Sequence, residues 1–306
     1  MTLLDSAQGM LLGLAVGDAV GTTVEFQERG AFSPVTDMVG GGPFELKKGQ
    51  WTDDTSMALC LAASLIERSA FDAQDQIERY LKWRTEGYMS ANGRCFDIGM
   101  TVQEALSRYI STGNPLAGST APQSAGNGSI MRLAPVVIAF HRNDEKLIKY
   151  AGESSKTTHG CEECVESCKL FAAMLKQAML SSDKNSIIKA HGYQAISPGV
   201  RAIGSAAYLS KSYEEITGSG YVIESLETAL WCFANAENFK QAILLATNVG
   251  NDADTTAAIC GQIAGAYYGV ESIPEDWLRA LTMKREITVM ALRLYELFVK
   301  VEKPLL

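Results

Sequence analysis

Histidine is scarce in this 306-residue chain, with only His141, His159 and His191 present. They leave little room for a His-rich zinc site. Basic residues are also in deficit, 27 Lys and Arg against 35 Asp and Glu, and the formal net charge is −8. Broad binding to nucleic acid or to an anionic membrane needs a cationic surface, so that balance argues against both, although a local basic patch stays open. No uninterrupted apolar run approaches the roughly 20 residues of a spanning helix; stretches such as 133–140 and the one from Met10 end early. No secretory signal is expected either, since Asp5 stands where a basic n-region would be and Asp18 ends the apolar run. Seven cysteines, an odd number spread along the chain, fit reduced thiols better than a disulfide framework. The expectation is a cytoplasmic protein.

With 47% hydrophobic and 20% charged residues the chain has the composition of a soluble globular protein. Its apolar residues recur at helical spacing. Leu4, Ala7, Leu11, Leu14 and Ala15 form one stripe, and Met57, Cys60, Leu61, Ser64 and Leu65 a second. Cys161, Cys164, Val165, Cys168, Phe171 and Leu175 form a third, Leu226, Ala229, Leu230 and Phe233 a fourth, and 287–299 continues the pattern with Met290, Leu294 and Leu297. No period-2 ladder appears, so the fold class expected is all-α. Residues 136–140 read as a short strand or, with Pro135 in a first turn, as a helix. Long Gly-rich connections at 32–50, 111–128 and 217–220 are candidates for functional loops. With no tandem repeat, low-complexity tract or charge block to mark a linker, one domain over 1–306 is expected, as a monomer.

Two segments carry chemistry. Trp51-Thr52-Asp53-Asp54-Thr55-Ser56 opens the second stripe, and Asn251-Asp252-Ala253-Asp254-Thr255-Thr256 opens a run rich in Ala and Gly. Thr52 as an N-cap with carboxylates in the first turn accounts for the first segment as plain helix capping. Acidic and hydroxyl groups at a helix start are also hard oxygen ligands for Mg²⁺ or Mn²⁺. Two such segments in one chain favour an oxygen-ligand cluster for two metals. The Gly126-Asn127-Gly128-Ser129 turn reads either as a flexible connection or as an amide cradle for a diphosphate, with Arg132 adding charge. Cys161, Cys164 and Cys168, spaced for one helix face, wrap a zinc ion poorly and read as small buried side chains.

In order along the chain, Gly17-Asp18-Ala19-Val20-Gly21 with Glu25, Trp51-Thr52-Asp53-Asp54-Thr55, Cys95-Phe96-Asp97-Ile98-Gly99, Gly126-Asn127-Gly128-Ser129, Thr158-His159 and Asn251-Asp252-Ala253-Asp254-Thr255 resemble the motifs of the ADP-ribosylglycohydrolases, of the dinitrogenase reductase-activating type. The resemblance implies an all-helical domain with a binuclear Mg²⁺ or Mn²⁺ cleft that hydrolyses the glycosidic bond between ADP-ribose and a modified side chain. By the same resemblance Thr52, Asp53, Asp54, Asp252, Asp254 and Thr255 hold the metals, and Glu25 lies beside them as ligand or base. Asp97 is the expected proton shuttle, since an oxocarbenium-like transition state needs an activated water and help for the leaving group. Its structural alternative is a turn cap.

The Phe96-Asp97-Ile98-Gly99 pattern points within that family to ADP-ribosyl-arginine. His159 is then expected near the distal part of ADP-ribose and Tyr221 as an aromatic stacking on ligand, each with core packing as the alternative. The expected partner is an ADP-ribosylated protein or small molecule. A non-catalytic member, an ADP-ribose-binding module or crystallin-like protein, would lack metal carboxylates, and all are present. Asp252-Ala253-Asp254-Thr255-Thr256 also fits the D-x-D-x-T of haloacid-dehalogenase-like phosphatases, but late in the chain and without parallel strands around it.

Overall fold

Two helices from opposite ends of the sequence form the axis of the computed structural model, which describes residues 1–189 and 191–297. In chain order the first helices are α1 (Leu3–Gly21), α2 (Asp53–Arg68), α3 (Ala73–Glu86), α4 (Met100–Thr112), α5 (Ala134–Phe140), α6 (Asp144–Lys156) and α7 (Glu162–Leu180). They are followed by α8 (Lys184–Lys189), α9 (Pro198–Gly204), α10 (Val222–Asn235), α11 (Phe239–Thr247), α12 (Ala253–Tyr268), α13 (Glu275–Ala280) and α14 (Lys284–Leu297). Among the described residues there is no strand, only isolated bridges at Gly41–Leu46, Ser119–His159 and Gly126–Tyr221. The all-α expectation is met. The D-x-D-x-T phosphatase alternative is overturned, because Asp252 and Asp254 open a helix in a strandless core.

The axis is α1 against α12. A Cβ on Gly9, Gly13, Gly17 or Gly21 of α1 would stand 2.2, 2.3, 2.1 and 2.4 Å from the carbonyl oxygens of Gly265, Gly261, Ala257 and Ala253 of α12. Only hydrogen fits. This seam, spaced every four residues on both helices, lets backbones meet where side chains would normally separate them. It also changes the reading of α1, which is buried around its whole circumference from Gly9 to Gly21 rather than along one stripe, with Leu4 only half-buried. The stretch Leu3–Val24 has the length and the mean hydropathy of 1.2 of a membrane-crossing segment, although Asp5 and Asp18 interrupt it; 78% of its window is buried among the other helices.

The other stripes face inward as their spacing predicts. Met57, Cys60, Leu61, Ser64 and Leu65 of α2, Leu226, Ala229, Leu230 and Phe233 of α10, and Cys164, Cys168, Phe171 and Leu175 of α7 are all buried. In α14, Leu294 is buried and Met290 partly so, while 298–299 lie outside the described residues. Residues 134–140 are helical, with Pro135 in the first turn and the Ala134 amide donating to Gln262 Oε1 at 2.8 Å. Gln262 also donates to the Met131 carbonyl at 2.8 Å, which fastens the 126–133 connection to α12.

Candidate active site

The axis ends at Gly21, and the acidic segments meet there. Asp18, on the last turns of α1, is fully buried and accepts four hydrogen bonds from the start of α2. Thr52 N–H and Oγ1–H reach Oδ1 at 2.8 and 3.0 Å; Thr55 N–H and Oγ1–H reach Oδ2 at 3.0 and 2.6 Å. The amides of Thr52 and Thr55 are among those a helix start leaves unpaired. Asp18 therefore caps α2 from another helix. Thr52 is at the N-cap position, as expected, but makes no capping bond with its own side chain. Burial lifts the Asp18 carboxyl to about 6, against the opposing pull of those four donors. Its function was not legible in the sequence; a lone carboxylate inside an otherwise apolar, glycine-spaced helix was the available signal.

Freed from capping, the Thr52 hydroxyl oxygen lies 3.0, 3.4 and 3.2 Å from oxygens of Asp18, Asp54 and Asp254. One hydroxyl proton serves three carboxylates. Thr255 Oγ1 lies 3.3 Å from Asp54 Oδ2, yet Asp54 Oδ1 and Asp254 Oδ1 are buried with no hydrogen-bond partner. Asp252, the N-cap residue of α12, likewise makes no side-chain cap. Capping thus explains neither segment. Burial first, then the neighbouring carboxylates, pushes Asp53, Asp54 and Asp254 well above the usual carboxylate range. Such a cluster is costly unless positive charge enters it.

Two loops add further carboxylates from the side. Glu25 follows a short 3-10 turn and receives the Thr22 hydroxyl at 3.3 Å. Asp97 precedes α4 in a left-handed backbone conformation, φ 58°, and it caps neither a helix nor a turn there, because Gly99 is the N-cap residue. Burial and nearby carboxylates raise Glu25 to about 9 and Asp97 to about 8. Oxygens of Glu25, Asp97 and Asp254 lie within 4.8 Å of one another, and so do those of Asp53, Asp54 and Asp254. Asp254 is common to both groups. The all-oxygen donors, the shared residue and the two orphaned oxygens fit hard divalent cations.

Glu25, Asp53, Asp97, Asp252, Asp254 and Thr255 line the floor of a cavity of about 630 Å³, and Thr52 and Asp54 are buried behind them without lining it. One wall is the 126–128 turn. Asn127 donates from Nδ2 to Asp252 at 2.7 Å and to Ser225 at 2.8 Å, so it orients a carboxylate. The amides of Gly126 and Asn127 are already bonded to Ser124 and Gly220, which leaves a smaller cradle than the glycine pattern implies. The glycines have another reason to be there. A Cβ on Gly126 or Gly128 would come within 3.3 or 2.8 Å of the His159 ring.

His159 lines the cavity above this turn. Thr158 Oγ1 accepts from Arg132 at 2.6 Å and lies 2.8 Å from His159 Nδ1, so its single proton points at that nitrogen. The network assigns the proton of the neutral ring to Nε2, a donor on the cavity side. Burial and Arg132 lower this imidazole to about 3, which keeps it neutral.

Three expectations are corrected here. Ser129 is buried and faces Ser155 and Cys168 instead of the cavity, because the turn rotates it inward. Tyr221 does not line the cavity; it pairs with Gly126 at the rim and its hydroxyl donates to Glu163 at 2.7 Å. Arg132 is completely buried beneath the turn, against the Tyr80 ring at 4.6 Å and the Gly128 carbonyl at 2.7 Å, so it offers no direct contact to a ligand. All seven cysteines are free, and Cys164 and Cys168 bond to Gly126 O and Ser129 Oγ as small buried side chains.

Comparison with known proteins agrees with this geometry. The ADP-ribosylglycohydrolase family matches residues 1–304. The chain is 44% identical to the ADP-ribosylarginine hydrolase Tri1 of Pseudomonas putida (strain GB-1), over 96% of this chain and 78% of that protein. It is 33% identical to the ADP-ribosyl-[dinitrogen reductase] glycohydrolase of Rhodospirillum rubrum, over 92% of each. A solved structure, an ADP-ribosylglycohydrolase-related protein complex, superposes with a TM-score of 0.84 at 40% identity, covering 96% of this chain and 98% of that one. A helical fold without strands among the described residues, oxygen-lined clusters from both ends of the chain and these relatives converge: the protein belongs to the ADP-ribosylglycohydrolase family.

Proposed function

We propose that this glycosidic-bond hydrolase releases ADP-ribose from modified arginine side chains, reversing mono-ADP-ribosylation. The observation that carries the reading is the meeting of Asp53, Asp54 and Asp254 with Glu25 and Asp97 at and just behind the cavity floor, two buried carboxylate oxygens being left without partners. Arginine as the linked residue is supported by the names of the similar hydrolases from Pseudomonas putida and Serratia proteamaculans (strain 568).

In this reading Thr52, Asp53, Asp54, Asp252, Asp254 and Thr255 would hold two Mg²⁺ or Mn²⁺ ions. When bound, such ions supply charge neutralisation, orientation of ribose hydroxyls and a more acidic water. Asn127 keeps Asp252 turned toward the cavity, and Asp18 keeps α2 in register with α1. Asp97 moves the proton at the glycosidic bond, with Glu25 beside it. The Gly126–Gly128 turn and the His159 Nε2–H face the anionic diphosphate, and Tyr221 stands at the rim. The single domain is proposed to act as a cytoplasmic monomer on an ADP-ribosylated protein or small molecule, without nucleic-acid or membrane partners.

The test is hydrolysis of ADP-ribosyl-arginine and ADP-ribosyl-serine peptides with Mg²⁺, Mn²⁺ or EDTA. Release from arginine that EDTA abolishes is the expected result. Metal-independent release would sink the mechanism, and no release from either linkage would favour a binding module. Asp97→Asn should retain ADP-ribose affinity and lose at least ~100-fold in turnover, the contribution typical of a positioned proton-transfer group.

A further inference from the structure

One part of the cavity lining plays no part in that account. It is apolar: Phe26, Phe44, Ile98 and Met100 line it. Phe26 and Met100 are 68% and 74% exposed, although each has a large apolar side chain. Phe26 also has a left-handed backbone, φ 63°, an uncommon conformation for a bulky residue. Two bonds hold it there, from the Phe26 amide to the Asn251 carbonyl and from the Asn251 amide to the Gln27 carbonyl, both 2.7 Å. The turn sends Glu25 down to the floor and leaves Phe26 standing at the mouth.

The Asp97 loop is built in a comparable way. Phe96 precedes Asp97, which has its own positive φ. Phe44 joins the two loops, with its ring centroid 6.4 Å from that of Phe26 and 5.2 Å from that of Phe96. Each of the two side-loop carboxylates therefore has an aromatic neighbour in sequence, and Phe44 bridges those neighbours. Packing alone does not explain the arrangement, since the outer ring remains in solvent.

Resting on the arginine reading above, the geometry points to the Phe26–Phe44 wall as the subsite for the guanidinium of the target arginine, and so to Phe26 and Phe44 as specificity-determining residues. The walls differ in the chemistry they offer. His159 Nε2–H suits an anion, whereas the Phe26 and Phe44 rings themselves carry no hydrogen-bond donor. Aromatic faces flanked by Glu25 and Asp97 suit a planar, weakly hydrated cation. In this arrangement the scissile bond would lie over the carboxylates, with the diphosphate on the His159 side and the leaving side chain against the rings.

The experiment uses the ADP-ribosyl-arginine amino acid, which excludes docking of a whole protein, and free ADP-ribose as a binding control. Phe26→Ala should lower kcat/KM on ADP-ribosyl-arginine roughly 10-fold, the scale of one cation–π contact, and leave the Kd for ADP-ribose unchanged. Phe26→Trp should restore the rate, while Phe26→Leu, apolar but without a π face, should not. A parallel rise in the ADP-ribose Kd would overturn the inference by placing the adenosine on this wall. Full activity of Phe26→Ala, or rescue by Leu equal to that by Trp, would overturn it too. If the wild-type protein leaves arginine-linked ADP-ribose uncleaved, the arginine reading itself fails; if it cleaves and Phe26 is indifferent, only the subsite fails.

Discussion

The seam between α1 and α12 and the acidic floor at its end are built from adjacent residues of the same helices, yet on opposite principles. Along the seam the residues that meet are Gly and Ala, and backbones touch because side chains are missing. At its end Asp18 and Asp254 are buried among further carboxylates, with more negative oxygens than protons to satisfy them. The first region gains from burial; the second is strained by it. Proximity is what the seam supplies to the site. Gly21 lies so close that an added Cβ would meet the Asp254 Cα at 2.5 Å, and ordinary side chains would hold the C-terminal turn of α1 and the acidic first turn of α12 further apart.

Breaking the seam should have the largest effect. Gly17→Ala places a methyl 2.1 Å from the Ala257 carbonyl oxygen, a backbone atom that cannot step aside. The expected loss exceeds ~3 kcal/mol, read as a lower urea midpoint or failure to fold. A variant of wild-type stability would mean that the helices do not touch as described.

Relaxing the floor should act in the other direction. Asp54→Asn removes a carboxylate from the cluster without changing its shape. The metal-free variant is expected to melt about 2–6 °C higher than the metal-free wild type, the shift that roughly 1–2 kcal/mol gives in a chain of this size or slightly smaller. It should also lose the rise in Tm that Mg²⁺ or Mn²⁺ gives the wild type. Lower stability with an intact metal response would assign Asp54 to structure instead.

The smallest effect concerns pH. The folded-state value of His159 is lowered to about 3 from an ordinary 6.5, so the unfolded chain takes up a proton that the folded one refuses. Its contribution to stability is present above pH 6.5 and is lost as pH falls from 6.5 toward 3. In urea titrations, the stability gap between wild type and His159→Gln should close by about 1 kcal/mol per pH unit below 6.5. A gap that stays constant from pH 7 to 5 would show that the ring is not buried in neutral form.

Much of the fold was legible because helical burial repeats every three to four residues. The stripes of α2, α7 and α10 mark inward faces without knowledge of their partners. The acidic starts of α2 and α12 were legible for a similar reason, being unusual in composition over a few consecutive residues. The seam was not: four glycines on α1 have no meaning until paired with Ala253, Ala257, Gly261 and Gly265. Ser129, Arg132 and Tyr221 were misplaced because a motif specifies neighbours along the chain but not the rotation of a turn. Phe26 and Phe44 carried no sequence signal at all, since isolated phenylalanines usually enter a core.

The sequence by itself determined a helical chain, the family and the two acidic segments at helix starts, all consequences of local spacing and side-chain chemistry. Tertiary structure decided that Asp18 caps a helix it does not belong to, that Thr52 is thereby released to the carboxylates, and which side chains of the Gly126 turn face the cavity. Each of these depends on where two distant backbones come to rest. That is set by the shape of the packed interior, a property no single segment contains.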